Sequence, residues 1–323
     1  MDTSNLVCMA ESDSNQKIDK AIIANNLSKQ FGKIEAVRNL SFEVNRGELF
    51  GIIGPDGAGK TTLFRMLTSL MQPNSGDAYV DGLHTVKDYK QIRRRVGYMP
   101  GKFSLYQDMS VKENLEFFAS VFGTTIKENY KLIEDIYCRL EPFADRKAGK
   151  LSGGMKQKLA LCCSLIHAPS VLFLDEPTTG VDPSSRREFW DMLSRLKEHN
   201  ISIIVSTAYM DEASRCDRVA MMHEGEFMAI DTPNDAIYKF ETKLLSARSD
   251  NMFRLLNDIR KIDIVDNCYT FGESHHITLK PTPENNIKEK LTEILTTQYH
   301  HSNLQIEQCT PTLEDCFMKL SRK

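Results

Sequence analysis

A glycine-rich turn between an apolar run and a helical stretch decides the fold of this chain. It reads Gly54-Pro55-Asp56-Gly57-Ala58-Gly59-Lys60-Thr61. Glu48–Ile53 ahead of the turn predicts a buried strand, and Lys60–Met71 after it predicts a helix. The turn fits the pattern G-x-x-x-x-G-K-[ST] in the strand and helix setting that the pattern requires. Because the backbone N–H groups of such a turn and the following helix N-terminus bind phosphate oxygens, the sequence predicts a nucleotide-phosphate loop.

The side chains at the end of this loop have separate predicted roles. Lys60 is expected to reach the β and γ phosphates, and the hydroxyl of Thr61 is expected to ligate magnesium. The candidate nucleotide-binding residues of this segment are Gly54, Pro55, Asp56, Gly57, Ala58, Gly59, Lys60, Thr61 and Thr62.

A second apolar run ends in two carboxylates. Val171–Leu174 predicts a strand, and Asp175 and Glu176 follow it directly. Asp175 is expected to hold magnesium or its water, as the second metal element after a phosphate loop does. Glu176 is expected to be the catalytic residue that polarises the attacking water, which is the role of a positioned general base.

Between these two elements a Ser-Gly-Gly sequence begins an apolar-periodic helix that runs to about His167. The full stretch is Leu151-Ser152-Gly153-Gly154-Met155-Lys156-Gln157. A helix N-terminus of this kind is a second candidate anion site, with Ser152, Gly153 and Gly154 as its residues. The combination with the phosphate loop and the carboxylate strand is much more specific than the tripeptide alone.

Taken together, these motifs resemble the ATP-binding subunits of ABC transporters across about Ala21 to Pro233. Ser152–Gly154 lie in the family signature, Asp182 lies in the loop that follows the magnesium strand, and Phe31 stands where the family stacks an aromatic ring on adenine. The resemblance implies ATP and Mg²⁺ as cofactors and two ATP-binding domains that close head to tail. It also implies a membrane permease as partner, because the chain's end is similar to subunits of exporters whose permease is a separate chain.

Two positions depart from the family pattern. Gly101 occupies the place of the family's glutamine, and Ala208 occupies the place of its histidine. Neither residue has a side chain that donates a hydrogen bond. Since loss of one preorganised donor typically lowers a rate by ~10²–10³, the resemblance predicts ATP binding with weakened hydrolysis.

The chain is interpreted as an α/β protein of the P-loop NTPase class with a mostly parallel central sheet. Residues 1–20 are a polar leader, residues 21–235 form the ATP-binding domain, and residues 236–323 form a small α+β C-terminal appendage. The ATP-binding domain begins with an antiparallel β subdomain, in which strands at Ala21–Ala24 and Ser41–Val44 flank a turn at Gly32. A helical signature subdomain begins with helices at about Val111–Phe122 and Lys127–Leu140.

Composition excludes several classes of protein. The 323 residues are 41% hydrophobic and 26% charged, with a formal net charge of −3, which is typical of a globular protein rather than a disordered chain. This charge argues against a nucleic-acid partner, because phosphate backbones are bound by cationic faces. No apolar run approaches the ~20 residues that cross a bilayer. With the resemblance to transporter subunits, this implies a peripheral protein on the cytoplasmic side of the membrane.

Three interpretations of the function remain open from the sequence. The favoured one is the ATP-hydrolysing subunit of an exporter. The second is a non-transport ATPase of similar design, although the chain between Thr61 and Leu151 is too short for the long coiled coil of the repair ATPases. The third is an ATP-binding regulatory subunit with little or no turnover. The second ATP-binding domain is either an identical or a different chain.

Overall fold

The computed structural model describes residues 20–102, 104–281 and 286–322. Contacts divide the chain into two units, and the division falls at Pro233, close to the predicted boundary after residue 235. The first unit also includes the chain from Leu320 onward, and the second is Asn234–Lys319. The predicted leader lies outside the described residues as far as residue 19, whereas Lys20 is the first residue of a strand.

The strands of the first unit form two sheets. They are β1 (Lys20–Phe31), β2 (Ile34–Asn45), β3 (Leu49–Ile53), β4 (Ser75–Val80), β5 (Leu83–His84), β6 (Val96–Met99), β7 (Val171–Asp175), β8 (Ser202–Thr207), β9 (Arg218–His223) and β10 (Glu226–Asp231). One sheet has the order β2-β1-β4-β5 and is antiparallel. This confirms the predicted N-terminal antiparallel subdomain, with Gly32 in the left-handed region at φ 59° between β1 and β2.

The second sheet has six strands in the order β10-β9-β3-β8-β7-β6 and forms the centre of the unit. From β9 to β6 each strand pairs in parallel with the next, and the edge strand β10 pairs antiparallel with β9. Strands β3, β7 and β8 are buried along their whole length, as expected for continuous apolar runs covered on both faces. The mostly parallel central sheet is therefore confirmed. Because these strands are parallel, the loops after β3, β7 and β8 meet at one edge.

Helices connect the strands of the first unit and carry the signature segment. They are α1 (Lys60–Leu67), α2 (Tyr89–Arg95), α3 (Val111–Phe122), α4 (Tyr130–Tyr137), α5 (Gly153–Leu165), α6 (Pro183–Leu196), α7 (Met210–Ala213) and, across the division, α8 (Pro233–Tyr238). A capping box begins α3: Glu113 N donates to Ser110 Oγ at 3.1 Å, and Ser110 N donates to Glu113 Oε2 at 2.7 Å. It fixes the start of α3.

Two predicted helices are too long. The helix expected over Lys60–Met71 ends at Leu67, because Ser69 takes a left-handed φ of 60°. Met71 still packs against the core beyond the helix end, so the apolar pattern overruns the helix. Likewise, the helix expected over Lys127–Leu140 is only α4, although Leu140 beyond it is buried. In both cases burial continues in the turn that follows the helix.

The second unit is an α+β fold of its own. Strands β11 (Leu244–Arg248), β12 (Val265–Phe271), β13 (Ser274–Leu279) and β14 (Gln305–Gln308) form an antiparallel sheet in the order β12-β13-β11-β14. Helices α9 (Met252–Ile259) and α10 (Ile287–Glu293) pack on a core with this sheet, and α11 (Leu313–Leu320) ends the segment. A register shift interrupts the pairing of β12 with β13 between Val265 and Asn267. None of the helices among the described residues has the length and apolar character needed to cross a membrane.

Candidate nucleotide-binding site

The phosphate loop runs from the end of β3 to the start of α1, and two of its glycines are required by close approach to backbone oxygens. A Cβ at Gly54 would lie 2.1 Å from the Met222 carbonyl oxygen, and one at Gly59 would lie 2.1 Å from that of Ala36. Gly59 also has a φ of 108°, a conformation that side chains strongly disfavour. The loop is therefore seated between β2 and β9 with no room for side chains at these positions.

Lys60 lies inside the loop that precedes it. Its side chain is almost fully buried, and Nζ donates to the carbonyl oxygens of Gly54 at 2.8 Å and Pro55 at 3.0 Å. Glu176 Oε1 is 3.2 Å from the same nitrogen. The buried ammonium group is thus held by two backbone carbonyl oxygens of the loop, at the position where a phosphate would bind.

Both predicted carboxylates lie at the end of β7, and Ser206 of β8 holds them in place. The Ser206 hydroxyl donates to Asp175 Oδ1 at 2.7 Å, and the N–H of Glu176 donates to the Ser206 Oγ at 3.0 Å. Glu176 has a φ of 49°, a strained value for a residue with a Cβ. This conformation places its side chain beside Lys60, so the structure brings the general-base candidate to the phosphate loop.

Lys60, Asp175 and Glu176 line one cleft of about 490 Å³, whereas Gly54, Pro55 and Ser206 are not among its lining residues in the described part of the chain. The lining residues are Ala36, Asp56, Gly57, Ala58, Gly59, Lys60, Thr61, Thr62, Arg65, Tyr98, Pro100, Gly101, Lys102, Asp175 and Glu176. Thr61 and Asp175 meet here as hydroxyl and carboxylate, the oxygen ligands that Mg²⁺ prefers. The residues present therefore fit a magnesium ion bound together with phosphates.

Sequence reasoning missed three polar side chains of this cleft, those of Arg65, Tyr98 and Lys102. Burial and the nearby charge of Asp175 raise the pKa of Tyr98 to about 12, so its hydroxyl stays protonated at neutral pH. Arg65 follows Thr61 by four positions on α1, and this helical spacing could have indicated that the two share a face. No comparable signal exists for Tyr98 and Lys102, because β6 reaches the cleft only through its pairing with β7.

The two departures from the family pattern lie at different places. Gly101 lines the cleft, and a Cβ there would be 3.0 Å from the carbonyl oxygen of Asp175, so any larger residue would have to displace the chain slightly. Ala208 is exposed at the residue that follows β8. Its neighbour Tyr209 donates its N–H to Thr207 Oγ1 at 3.0 Å.

The signature residues are brought together with the Asp182 loop rather than with the cleft. Ser152 Oγ caps α5 by accepting from Met155 N at 3.3 Å, and a Cβ at Gly154 would lie 2.7 Å from Ser185 Oγ. Asp182 caps α6, and the backbone N–H of Ser185 lowers the pKa of its carboxyl. Within the described residues, Ser152, Gly153, Gly154 and Asp182 are absent from the lining of the cleft.

Phe31 ends β1 and is 45% exposed. Lys29 Nζ lies 5.5 Å from the centroid of its ring. In the described part of the chain β2 lines the cleft through Ala36, and Phe31 is not among the lining residues. Its role in stacking on adenine remains a prediction.

Comparison with known proteins identifies this arrangement. Residues 37–179 match the model of the family described as "ABC transporter". The linearmycin resistance ATP-binding protein LnrL of Bacillus subtilis is 31% identical over 306 residues, which cover 92% of this chain and 97% of that protein. This chain belongs to the family of ABC transporter ATP-binding proteins. The resemblance seen in the motifs is thereby confirmed.

Other ABC relatives extend the comparison. The probable multidrug ABC transporter ATP-binding protein YbhF of Escherichia coli is 39% identical over 94% of this chain. The chain spans about half the length of that protein, 52%. Among solved structures, cbiO1 of Clostridium perfringens has a TM-score of 0.62 at 27% identity, over 69% of this chain and 92% of that one. A dimeric structure of the cassette MJ0796 has a TM-score of 0.59 at 26% identity, over 65% of this chain and 98% of that one. The P-loop NTPase fold of the ABC type is therefore confirmed.

Proposed function

We propose that this chain binds Mg-ATP and hydrolyses it to power an ABC exporter from the cytoplasmic face of the membrane, docked on a permease supplied by another chain. The observation that carries the proposal is the meeting of Lys60, Asp175 and Glu176 at one cleft. The direction of transport is supported by relatives named for multidrug transport, Nod factor export and linearmycin resistance.

Each side chain of the cleft has a separate task in this proposal. Lys60 would neutralise the β and γ phosphates, and in doing so it would exchange the carboxylate of Glu176 for phosphate oxygens. Glu176 would then accept a hydrogen bond from the attacking water and orient it in line with the γ-phosphate. Thr61 and Asp175 would hold Mg²⁺, which supplies positive charge to the phosphate oxygens when bound.

A second cleft, of about 260 Å³, supports a permease as partner. Apolar side chains of α3 and of the loop before it form part of its wall, among them Leu105, Phe118 and Phe122. Tyr98 and Pro100 line both this cleft and the nucleotide cleft. A permease segment bound in the second cleft would therefore touch residues that also meet the nucleotide, which links transport to the state of ATP.

Gly101 and Ala208 favour a second candidate function, an ATP-binding subunit with little turnover of its own. Both positions lack a side-chain donor near the place where the γ-phosphate would lie. The phosphate loop and the buried Lys60 do not depend on them. Nucleotide binding and hydrolysis are therefore separable in this chain, and the two candidates differ in the hydrolysis rate of its own site.

Replacing Ala208 by His is expected to raise the rate of phosphate release by the purified chain at least about tenfold, because it restores one donor of the kind whose loss costs ~10²–10³. The exposed position leaves room for the imidazole ring. Steady-state release of phosphate from Mg-ATP measures the effect.

Ala208→Leu is the matched control, since it adds bulk at the same position without a donor and should leave the rate unchanged. A parent chain that already hydrolyses ATP at tens per second, well within the usual range of enzymes, would contradict the argument. It would show that other groups compensate for the missing histidine.

A permease should be recovered with this chain when the tagged protein is purified from solubilised membranes. Mass spectrometry should find an integral membrane protein and, if the dimer is mixed, a second ATP-binding chain in equal amount. Leu105→Asp, which places a charge in the second cleft, should release the permease without loss of ATP binding. Recovery of the chain with nucleic acid or ribosomal proteins instead would favour the non-transport ATPase.

A further inference from the structure

A buried carboxylate, that of Glu212 on α7, joins the segment that follows β7 to the end of β8. The residue is only 2% exposed. Its Oε1 accepts hydrogen bonds from Thr178 Oγ1 at 2.6 Å and from Arg186 Nε at 2.9 Å, and its Oε2 accepts one from Thr207 Oγ1 at 2.7 Å. One side chain thus accepts hydrogen bonds from two separate segments, one that contains Thr178 and Arg186 and one that ends in Thr207.

Two of these donors belong to the segment that begins with the catalytic carboxylate. Thr178 lies between Glu176 and Asp182, and Arg186 lies in the first turn of α6, where its N–H donates to the carbonyl oxygen of Asp182 at 2.9 Å. A movement of the Asp182 loop would therefore carry both donors with it, because each is a short distance along the chain from Asp182.

The third donor belongs to the end of β8. Thr207 is its last residue, Ala208 follows, and the N–H of Tyr209 donates to the same threonine hydroxyl. The Arg186 guanidinium also lies 4.0 Å from the centroid of the Tyr209 ring, which adds a cation–π contact between the same two segments. The segment around Ala208 is thus fastened to the segment around Asp182 at two points.

Breaking this network would leave a buried charge without partners, which is strongly unfavourable. The two segments are therefore expected to move together rather than separately. Glu212 is not among the residues that line the cleft in the described part of the chain, so it has no contact with the nucleotide to contribute. Its effect must pass through the segments that it joins.

From this geometry we infer that Glu212 is a positioning residue for ATP hydrolysis, which couples the Asp182 loop to the end of β8. The inference rests on the proposed function, since it assigns a role within ATP turnover. Ala208 has no side-chain hydrogen bond to fix its position. The backbone at the end of β8 is therefore held by the hydrogen bond between Thr207 and Glu212.

The test is Glu212→Gln in the full chain purified without other ATP-binding chains, so that the measured turnover comes from this chain's own site. The amide keeps the side-chain volume, removes the negative charge that faces Arg186, and offers one acceptor oxygen where the carboxylate offers two. We expect kcat for ATP to fall about tenfold, whereas KM and the Kd of the isolated chain for a fluorescent ATP analogue stay within about twofold. A merely structural role would alter binding and turnover together.

Asp211→Asn is the matched control, because Asp211 contacts the same Arg186 at 3.4 Å but is 78% exposed. Its kcat should stay within about twofold of the parent. If Glu212→Gln does not fold, Thr178→Val and Thr207→Val each remove one donor, and each should lower kcat with less than additive effects when combined.

The outcomes separate this inference from the proposed function. An active parent whose Glu212→Gln, Thr178→Val and Thr207→Val variants all match Asp211→Asn in kcat would overturn the inference alone. A loss of ATP affinity equal to the loss of kcat would overturn it as well. A parent chain without any ATPase activity of its own would overturn the proposed hydrolysis and the inference with it.

Discussion

Ser152→Arg is expected to abolish the ATPase activity of the assembled transporter, while Glu176→Gln in the same chain changes it little. The reason is the separation seen in the structure, where Ser152 lies beside the Asp182 loop and away from the cleft that contains Lys60 and Glu176. In a head-to-tail pair the signature of one chain completes the site of the other. The positions without donors, Gly101 and Ala208, would weaken only this chain's own site, so we propose a partner chain that performs most of the hydrolysis.

The Ser152 substitution needs a control for stability as well as for charge. Its hydroxyl caps α5, and loss of such a cap costs about 1 kcal/mol. Ser152→Ala removes the same cap without adding a cation, and it should unfold at nearly the same temperature as Ser152→Arg. It should retain much more activity, because only the arginine fills the anion site of the partner with a bulky side chain.

The opposite ranking, with Glu176→Gln inactive and Ser152→Arg tolerated, would show that this chain's own site performs the hydrolysis. A homodimer gives a third result. Each substitution would then affect both ATP sites, so both variants would be inactive. The mass of the complex purified with its permease distinguishes one kind of ATP-binding chain from two.

The local motifs of this chain could be predicted because their chemistry is contained in short stretches of sequence. The phosphate loop needs glycine where Gly54 and Gly59 meet the carbonyl oxygens of Met222 and Ala36, and the pattern reports this requirement without the structure. Asp175 is likewise predictable, since it directly follows the apolar residues of a buried strand.

The parts that escaped prediction depend on contacts between distant segments. Ser206 holds Asp175 and Glu176 only because β8 pairs with β7, and Tyr98 meets the cleft only because β6 lies on the other side of β7. The network of Glu212 joins the segment around Asp182 to the end of β8, and no spacing within the sequence indicates this contact. The end of α1 was also predicted too late, because apolar residues that pack against the core continue past Leu67 to Met71.

Lys60→Ala should lower the affinity for Mg-ATP by at least about 100-fold, because hydrogen bonds from a charged group to phosphate oxygens contribute roughly 1.5–3 kcal/mol each. The substitution also leaves the Glu176 carboxylate without its cation 3.2 Å away, which adds repulsion toward the phosphates. Lys102→Ala is the matched control: Lys102 lines the same cleft but is exposed, so its loss should change the affinity less than about fivefold. Titration of a fluorescent ATP analogue measures both variants, and thermal unfolding checks that the buried site remains folded. Equal affinities for Lys60→Ala and the parent would show that the phosphates do not bind in this loop, since no other cation of the cleft is buried among the carbonyl groups of Gly54 and Pro55 in the described residues.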